Sequence, residues 1–232
     1  EGKEVFHHST AHILATAIAK IWPESQFAAG PPVENGFYYD VELEHRISPE
    51  DFEKIEEEML KIVKENQPFE RMIVSREDAL NLAQSGRLAA LSERSTSSTF
   101  KIDLLEDIPE GEEISIFKNG DFWDLCAGPH VPRTGNCKAF KLMSVASAFY
   151  KGDSNNSQLQ RIYGTSFKNK TQLNEYLEQL EEAKKRDHRK VGRDLGLFHF
   201  DESVGQGLVL WKPKGSIIRN ELQKFIAGEL DK

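Results

Sequence analysis

The sequence predicts an α+β fold, an antiparallel sheet packed with helices and followed by a long helix. Three observations carry this prediction. Ile13, Leu14, Ala17, Ile18 and Ile21 recur at helical spacing. Short apolar or aromatic runs, such as residues 37–41, are bounded by proline and glycine turns, the pattern of strands with tight connections. From Thr171 onward the chain is highly charged, yet Leu173, Tyr176, Leu177, Leu180 and Ala183 keep to one helical face.

The elements come in order along the chain. A first helix over residues 8–21 stops at Trp22 and Pro23, because the residue before proline is pushed out of the helical region. Gly30, Pro31, Pro32 and the Glu34-Asn35-Gly36 step are turn chemistry, so residues 37–41 read as a strand. Ser48, Pro49 and the acids Glu50 and Asp51 open a second helix, which runs through Phe52, Ile55, Met59 and Ile62 to about residue 66. A strand at 69–74 precedes a helix at 76–84 that Ser75 caps. Residues 85–99 are small and polar and read as a mobile loop. Residues 100–105, 113–118, 122–125, 138–150 and 158–164 read as strands. The long charged helix reaches about residue 195; beyond it lie a short strand at 209–213 and a helix from about 215. With no cap or stop signal in that last helix, the chain reads as a piece of a longer protein.

Composition narrows the function. With 232 residues, 38% hydrophobic and 29% charged, the chain has the makeup of an ordinary globular protein, and no apolar run reaches the length of a membrane span. The net charge of −8 argues against a generally basic nucleic-acid binder, so phosphate contacts would need local patches. One such patch is the run from Lys184 to Lys190, although a charged helix face is usually just solvated. Two cysteines, Cys126 and Cys137, fit a reducing compartment, with Cys126 free to serve a site and Cys137 a small buried apolar residue.

Two four-residue spacings locate the chemistry. His8 and His12 share a helix face, whereas Gly128 and Pro129 keep Cys126 and His130 in a loop. Three imidazoles and a thiol could hold zinc tetrahedrally. The same groups could activate water, with histidine as base. Two core histidines and an unrelated thiol are the bland alternative, which two such pairs make less attractive. Asp124, two residues before Cys126, falls on the same side of a strand and could orient a histidine or hold an ammonium group. Lys101 could stabilise an oxyanion, and of Tyr38 and Tyr39 one should be buried and the other reach the pocket.

Taken together, these segments resemble bacterial-type threonyl-tRNA synthetase. The carrying residues are His8-Ser-Thr-Ala-His12, Asn35 to Asp40, Asp124 to Val131, Gly152 to Asn156, Leu159 to Thr165, Glu181 to Lys190 and Leu210 to Gly215. The resemblance runs in order along essentially the whole chain. It implies an editing domain at 1–160 with the threonyl/alanyl-tRNA synthetase editing fold, a linker helix region at 161–196, and the start of the class II aminoacylation domain at 197–232.

The resemblance further implies post-transfer editing: hydrolysis of the ester in mischarged seryl-tRNA(Thr), without aminoacylation by this piece. The family's editing residues fall on His8, His12, Tyr39, Lys101, Asp124, Cys126 and His130. His8 and Lys101 are expected around the hydrolytic water, His12 and His130 at the terminal ribose, Asp124 against the substrate ammonium or as an orienter, and Tyr39 and Cys126 at the seryl pocket. Arg161, Lys168, Lys184, Lys185, Arg186 and Arg189 are weaker candidates for tRNA contact.

Alanyl relatives use the same two pairs as metal ligands, whereas the threonyl form, with Gly128-Pro129-His130, is expected to edit without a cofactor. The zinc and ATP-magnesium of the family belong to a catalytic region that is missing here. The implied partner is tRNA(Thr), with no membrane, a cytoplasmic location, a monomeric piece and a homodimeric whole. Two rivals are a zinc-dependent alanyl-type trans-editing hydrolase and a non-catalytic tRNA-binding module.

Overall fold

Helix α1 (Gly2–Ile21) is buried on all sides from Ser9 to Ala19, not along a single apolar stripe. Its small residues, among them Ser9, Ala11, Ala15 and Ala19, let other elements approach closely. The structure, a computed structural model, describes residues 2–205 and 207–231. The chain divides into two compact units, the first reaching Leu173 and the second beginning at Asn174.

In the first unit, α1 is followed by β1 (Gln26–Phe27), β2 (Pro32–Val33) and β3 (Gly36–Glu42). A 3-10 turn leads into α2 (Phe52–Glu65), where Ser48 and Asp51 form a capping box as their spacing predicts. Then come β4 (Phe69–Val74), α3 (Arg76–Gln84), α4 (Thr99–Asp107), β5 (Ile114–Asn119), β6 (Phe122–Leu125), β7 (Ala139–Phe149) and β8 (Gln158–Phe167). The larger sheet has five strands in the order β1-β3-β8-β7, with β2 also on β3; β4-β5-β6 form a three-stranded sheet. Every pairing is antiparallel. Helix α1 packs against both β3 and α2. The main core joins Ile13, Leu14 and Ile18 of α1 to Phe37 and Val41 of β3 and to Ile55, Met59 and Ile62 of α2.

Several expectations need correction. Residues 100–105 form part of α4 and not a strand, because Lys101 and Leu105, four apart, are both buried. The alternation of Phe100, Ile102 and Leu104 is too short to separate the two periodicities. The Arg76 guanidinium donates to the carbonyls of Leu105, Ile108 and Pro109, which satisfies the C-terminal end of α4. Of residues 85–99, all but Thr99 are irregular, yet they are anchored: Leu88, Ala89 and Ala90 are buried, and Arg94 donates to Gly86 O and Ser98 Oγ. Strand β8 runs to Phe167, so the first unit extends past residue 160.

The long charged helix breaks in two. It consists of α5 (Lys170–Lys185) and α6 (His188–Asp194), because Asp187 leaves the helix and caps Arg189 N. The second unit also has β9 (Phe198–His199) paired with β10 (Leu210–Trp211), then α7 (Pro213–Leu230). Leu173 is the one buried residue of α5. On α7, Ile217, Leu222, Phe225 and Leu230 are exposed. Among the described residues, no helix is long and apolar enough to cross a membrane.

Ile13 is fully buried in the main core. Ile13→Ala is expected to lower the urea-unfolding free energy by about 2–5 kcal/mol. A change below about 0.5 kcal/mol would contradict the central place given to α1.

Candidate functional site

The two histidines of α1 meet the Cys126–His130 loop at one point. One donor atom from each of His8, His12, Cys126 and His130 lies within 4.8 Å of the others. Cys126 Sγ is 3.2 Å from His8 Nε2 and 3.3 Å from His130 Nε2. Gly128, at φ +76° where a side chain would be strained, turns its N–H onto that sulfur at 3.2 Å. The His130 ring stacks on Phe69 at 4.8 Å and meets the edge of Phe117 at 4.5 Å.

Behind this cluster lies a buried ion pair. Lys101 Nζ is 2.7 Å from Asp124 Oδ1, and each side chain is 2% exposed. Lys101 also donates to Ala28 O at 2.6 Å and to Tyr39 Oη at 3.4 Å. Tyr39 Oη donates to Asp124 Oδ2, and His12 Nε2 is 3.9 Å from the same oxygen. The buried tyrosine is thus the site tyrosine. Tyr38 packs instead on Tyr163 and under Arg161.

A cleft of about 550 Å³ opens beside the cluster, lined by Gly2, Glu4, Val5, His8, Pro32, Gly128 and Pro129. His8 is the imidazole that faces it. Lys101 is not among the residues that line this cleft; it lies behind the cluster, ion-paired with Asp124 and hydrogen-bonded to Ala28 O and Tyr39 Oη.

The electrostatics favour neutral imidazoles. Burial lowers the pKa of His8, while Asp124 and a hydrogen bond to the Pro129 backbone act the other way. Burial lowers His12 and His130 much further, assisted by neighbouring groups that include His8. Burial pushes the Cys126 thiol up to about 12, so it keeps its proton. Tyr39, raised well above its usual range by burial and Asp124, stays a donor. Cys137 is buried and its thiol is pushed up to about 11 by burial, as its role as a small apolar residue requires.

The four donors form a set that zinc accepts, and their clustering fits one ion held by His8, His12, Cys126 and His130; four protein ligands close a tetrahedral site, so the ion would polarise a water only with one of the four unbound or with a fifth position. Buried His12 Nδ1 has no hydrogen-bond partner, while His12 Nε2 lies 3.9 Å from the Asp124 carboxylate; an unpartnered ring nitrogen with a carboxylate behind the other fits a metal ligand as well as a neutral buried imidazole.

The candidates for tRNA contact divide differently. Arg161 forms a bidentate pair with Asp40 at 2.7 and 2.8 Å, so its charge is already matched and it is not a free phosphate contact. Lys184 and Lys185 pair with Glu181 and Glu182, Arg186 with Glu182, and Arg189 with Asp187. That is the solvated-helix reading of the basic run. Lys168 is exposed just after β8. The sequence reading missed Ser9, Phe69, Phe117 and the Ala28 carbonyl. Ser9, between the two histidines, was the only one with a positional signal.

Residues 114–163, covering β5 to most of β8, match the family described as "Threonyl and Alanyl tRNA synthetase second additional domain". The first unit therefore contains a module of that class. The chain is 53% identical over 225 residues to a threonine--tRNA ligase of Clostridioides difficile (strain 630), covering 97% of this chain and 34% of that protein. It is 51% identical over 229 residues to threonine--tRNA ligase 1 of Bacillus subtilis (strain 168), covering 99% of the chain and 34% of that protein. The chain is similar to threonine--tRNA ligases along almost its whole length, and it spans about a third of the length of these relatives.

Lys101→Met leaves Asp124 charged and unpaired in the interior, so it is expected to cost about 3–5 kcal/mol of unfolding free energy. Unchanged stability would refute the pair as an anchor. Acid should also destabilise the fold. His7 is fully buried, and burial lowers its pKa from 6.5 to about 4. Between those values the unfolded chain binds more protons than the native one, so stability is full above about 6.5 and falls as pH decreases. Urea unfolding should therefore give a smaller free energy at about pH 5 than at about pH 7. Equal values would contradict neutral burial.

Proposed function

We propose that the first unit is a post-transfer editing module that hydrolyses the ester of seryl-tRNA(Thr) and needs no metal. One observation carries this reading: a neutral His8 faces the cleft, backed by a thiol, two further imidazoles and the Lys101–Asp124–Tyr39 group. Similarity to threonine--tRNA ligases supports tRNA as the partner and ester chemistry as the reaction.

His8 accepts a proton from water, and the water oxygen attacks the ester carbonyl carbon. The bond from that carbon to the ribose oxygen then breaks, and the proton passes to the leaving ribose oxygen, which gives free serine and uncharged tRNA. Lys101 contributes by fixing Asp124 and Tyr39 behind the cluster. Cys126, with its thiol protonated, shapes the pocket and is not the nucleophile. A separate hydrolytic site is needed because the one methyl between serine and threonine yields only about 1–3 kcal/mol of discrimination in a binding pocket. A tight second pocket instead excludes threonine by size.

The four clustered donors favour a second reading, a zinc hydrolase of the alanyl type. Deacylation of seryl- and threonyl-tRNA(Thr), with and without chelator, separates the two. The expected result is cleavage of the seryl ester only, insensitive to chelator, with His8→Ala slower by about a hundredfold or more. Full activity of His8→Ala would refute its role. Stoichiometric zinc by elemental analysis, removed by chelation together with activity, would establish the second reading instead.

A further inference from the structure

Ser9, on α1 between the two histidines, is fully buried and makes three polar contacts. Its Oγ lies 2.7 Å from Val5 O, 2.9 Å from Val131 N and 3.1 Å from His130 Nδ1. A hydroxyl has one proton to give. The contact with Val5 O has the length of an O–H···O bond, and the longer one to His130 that of an N–H···O bond. Ser9 therefore donates to Val5 O and accepts from both Val131 N–H and His130 Nδ1–H.

That direction of bonding fixes the proton positions in the rest of the cluster. With its proton on Nδ1, neutral His130 turns a lone pair on Nε2 toward Cys126 Sγ. His8 also faces the sulfur through Nε2, and the backbone of Pro129, which has no N–H, can only accept from the His8 ring. Two lone pairs thus face one S–H proton. If His130 takes it, His8 Nε2 is left to accept from water in the cleft.

We propose that Ser9 is a positioning residue. By holding the His130 proton on Nδ1 it directs the Cys126 thiol proton to His130 and leaves His8 Nε2 open as the base. Loss of the Ser9 oxygen lets His130 carry its proton on Nε2, the thiol then turns to His8, and the base is blocked. The proposal rests on the hydrolytic reading of the site for its effect on rate. The tautomer is independent of that reading.

The test combines a long-range proton–nitrogen NMR spectrum of the histidine rings at neutral pH with deacylation kinetics, both on the full chain. Wild type is expected to show His130 protonated on Nδ1. Ser9→Ala is expected to move that proton to Nε2 and to lower kcat about 10–100-fold, as loss of an outer partner does elsewhere, with KM changed less than about twofold. Ser9→Thr, which keeps a hydroxyl on the same carbon, is expected to restore both. A wild-type His130 protonated on Nε2 overturns the proposal, and that measurement stands even if Ser9→Ala fails to fold. A Ser9→Ala protein that loses activity with the tautomer unchanged also overturns it, because the serine is then merely structural. If wild type shows the expected tautomer but deacylates nothing, the hydrolytic reading fails and the role in catalysis fails with it, while the hydrogen-bond assignment stands.

Discussion

The buried pairing of Lys101 with Asp124 is the constraint on which the site depends. It joins α4 to β6, and through Tyr39 and the Ala28 carbonyl it also reaches β3 and the segment before β2. A lone ammonium or carboxylate at that depth would lose far more hydration than it regains. Each therefore requires the other in place, and four separate stretches of chain must be in register before either is satisfied. Arg76 closing the end of α4, and Tyr150 and Lys151 bonding Asp103, hold the helix that carries Lys101.

In front of that pair the chemistry is neutral. Desolvation outweighs the attraction of Asp124 for His8, and the other two rings are still more strongly discharged. A discharged imidazole facing a cleft can take a proton; a charged one cannot. The one formal charge of each sign sits behind the cluster and cancels, which leaves the reacting region with uncharged donors and acceptors whose directions matter more than their charge. Under the proposed metal-free hydrolysis, hydrogen-bond direction at Ser9, Cys126 and His130 would carry the weight that a metal or an ion pair carries in other hydrolytic sites.

The second unit uses charge in a different way. Its basic run is tied to acids on the same helix segments, through pairs that are solvent-exposed and individually weak. Such pairs can be exchanged for a polyanion at little cost, whereas Arg161, held on both nitrogens by Asp40 and stacked over Tyr38, cannot be released so easily.

Local signals in the sequence were enough to set most elements and the address of the site. Ser48 and Asp51, Ser75, and the Trp22-Pro23 stop placed helix ends correctly, because caps and breakers act within a few residues. The spacing of His8 with His12, and the Gly128-Pro129 turn between Cys126 and His130, located the cluster, because those constraints are also local. Packing in three dimensions was needed to put Lys101 on a helix and to spend it on Asp124, Tyr39 and Ala28. Of these partners, Tyr39 and Ala28 are 62 and 73 residues away in sequence. The meeting of Ser9 with His130 across the fold came from the same source, whereas the break of the charged helix at Asp187 is a local cap on Arg189 two residues on. Periodicity reports which face of a segment is apolar. It says nothing of which distant polar atom will meet a buried one, and in this site that meeting sets the chemistry.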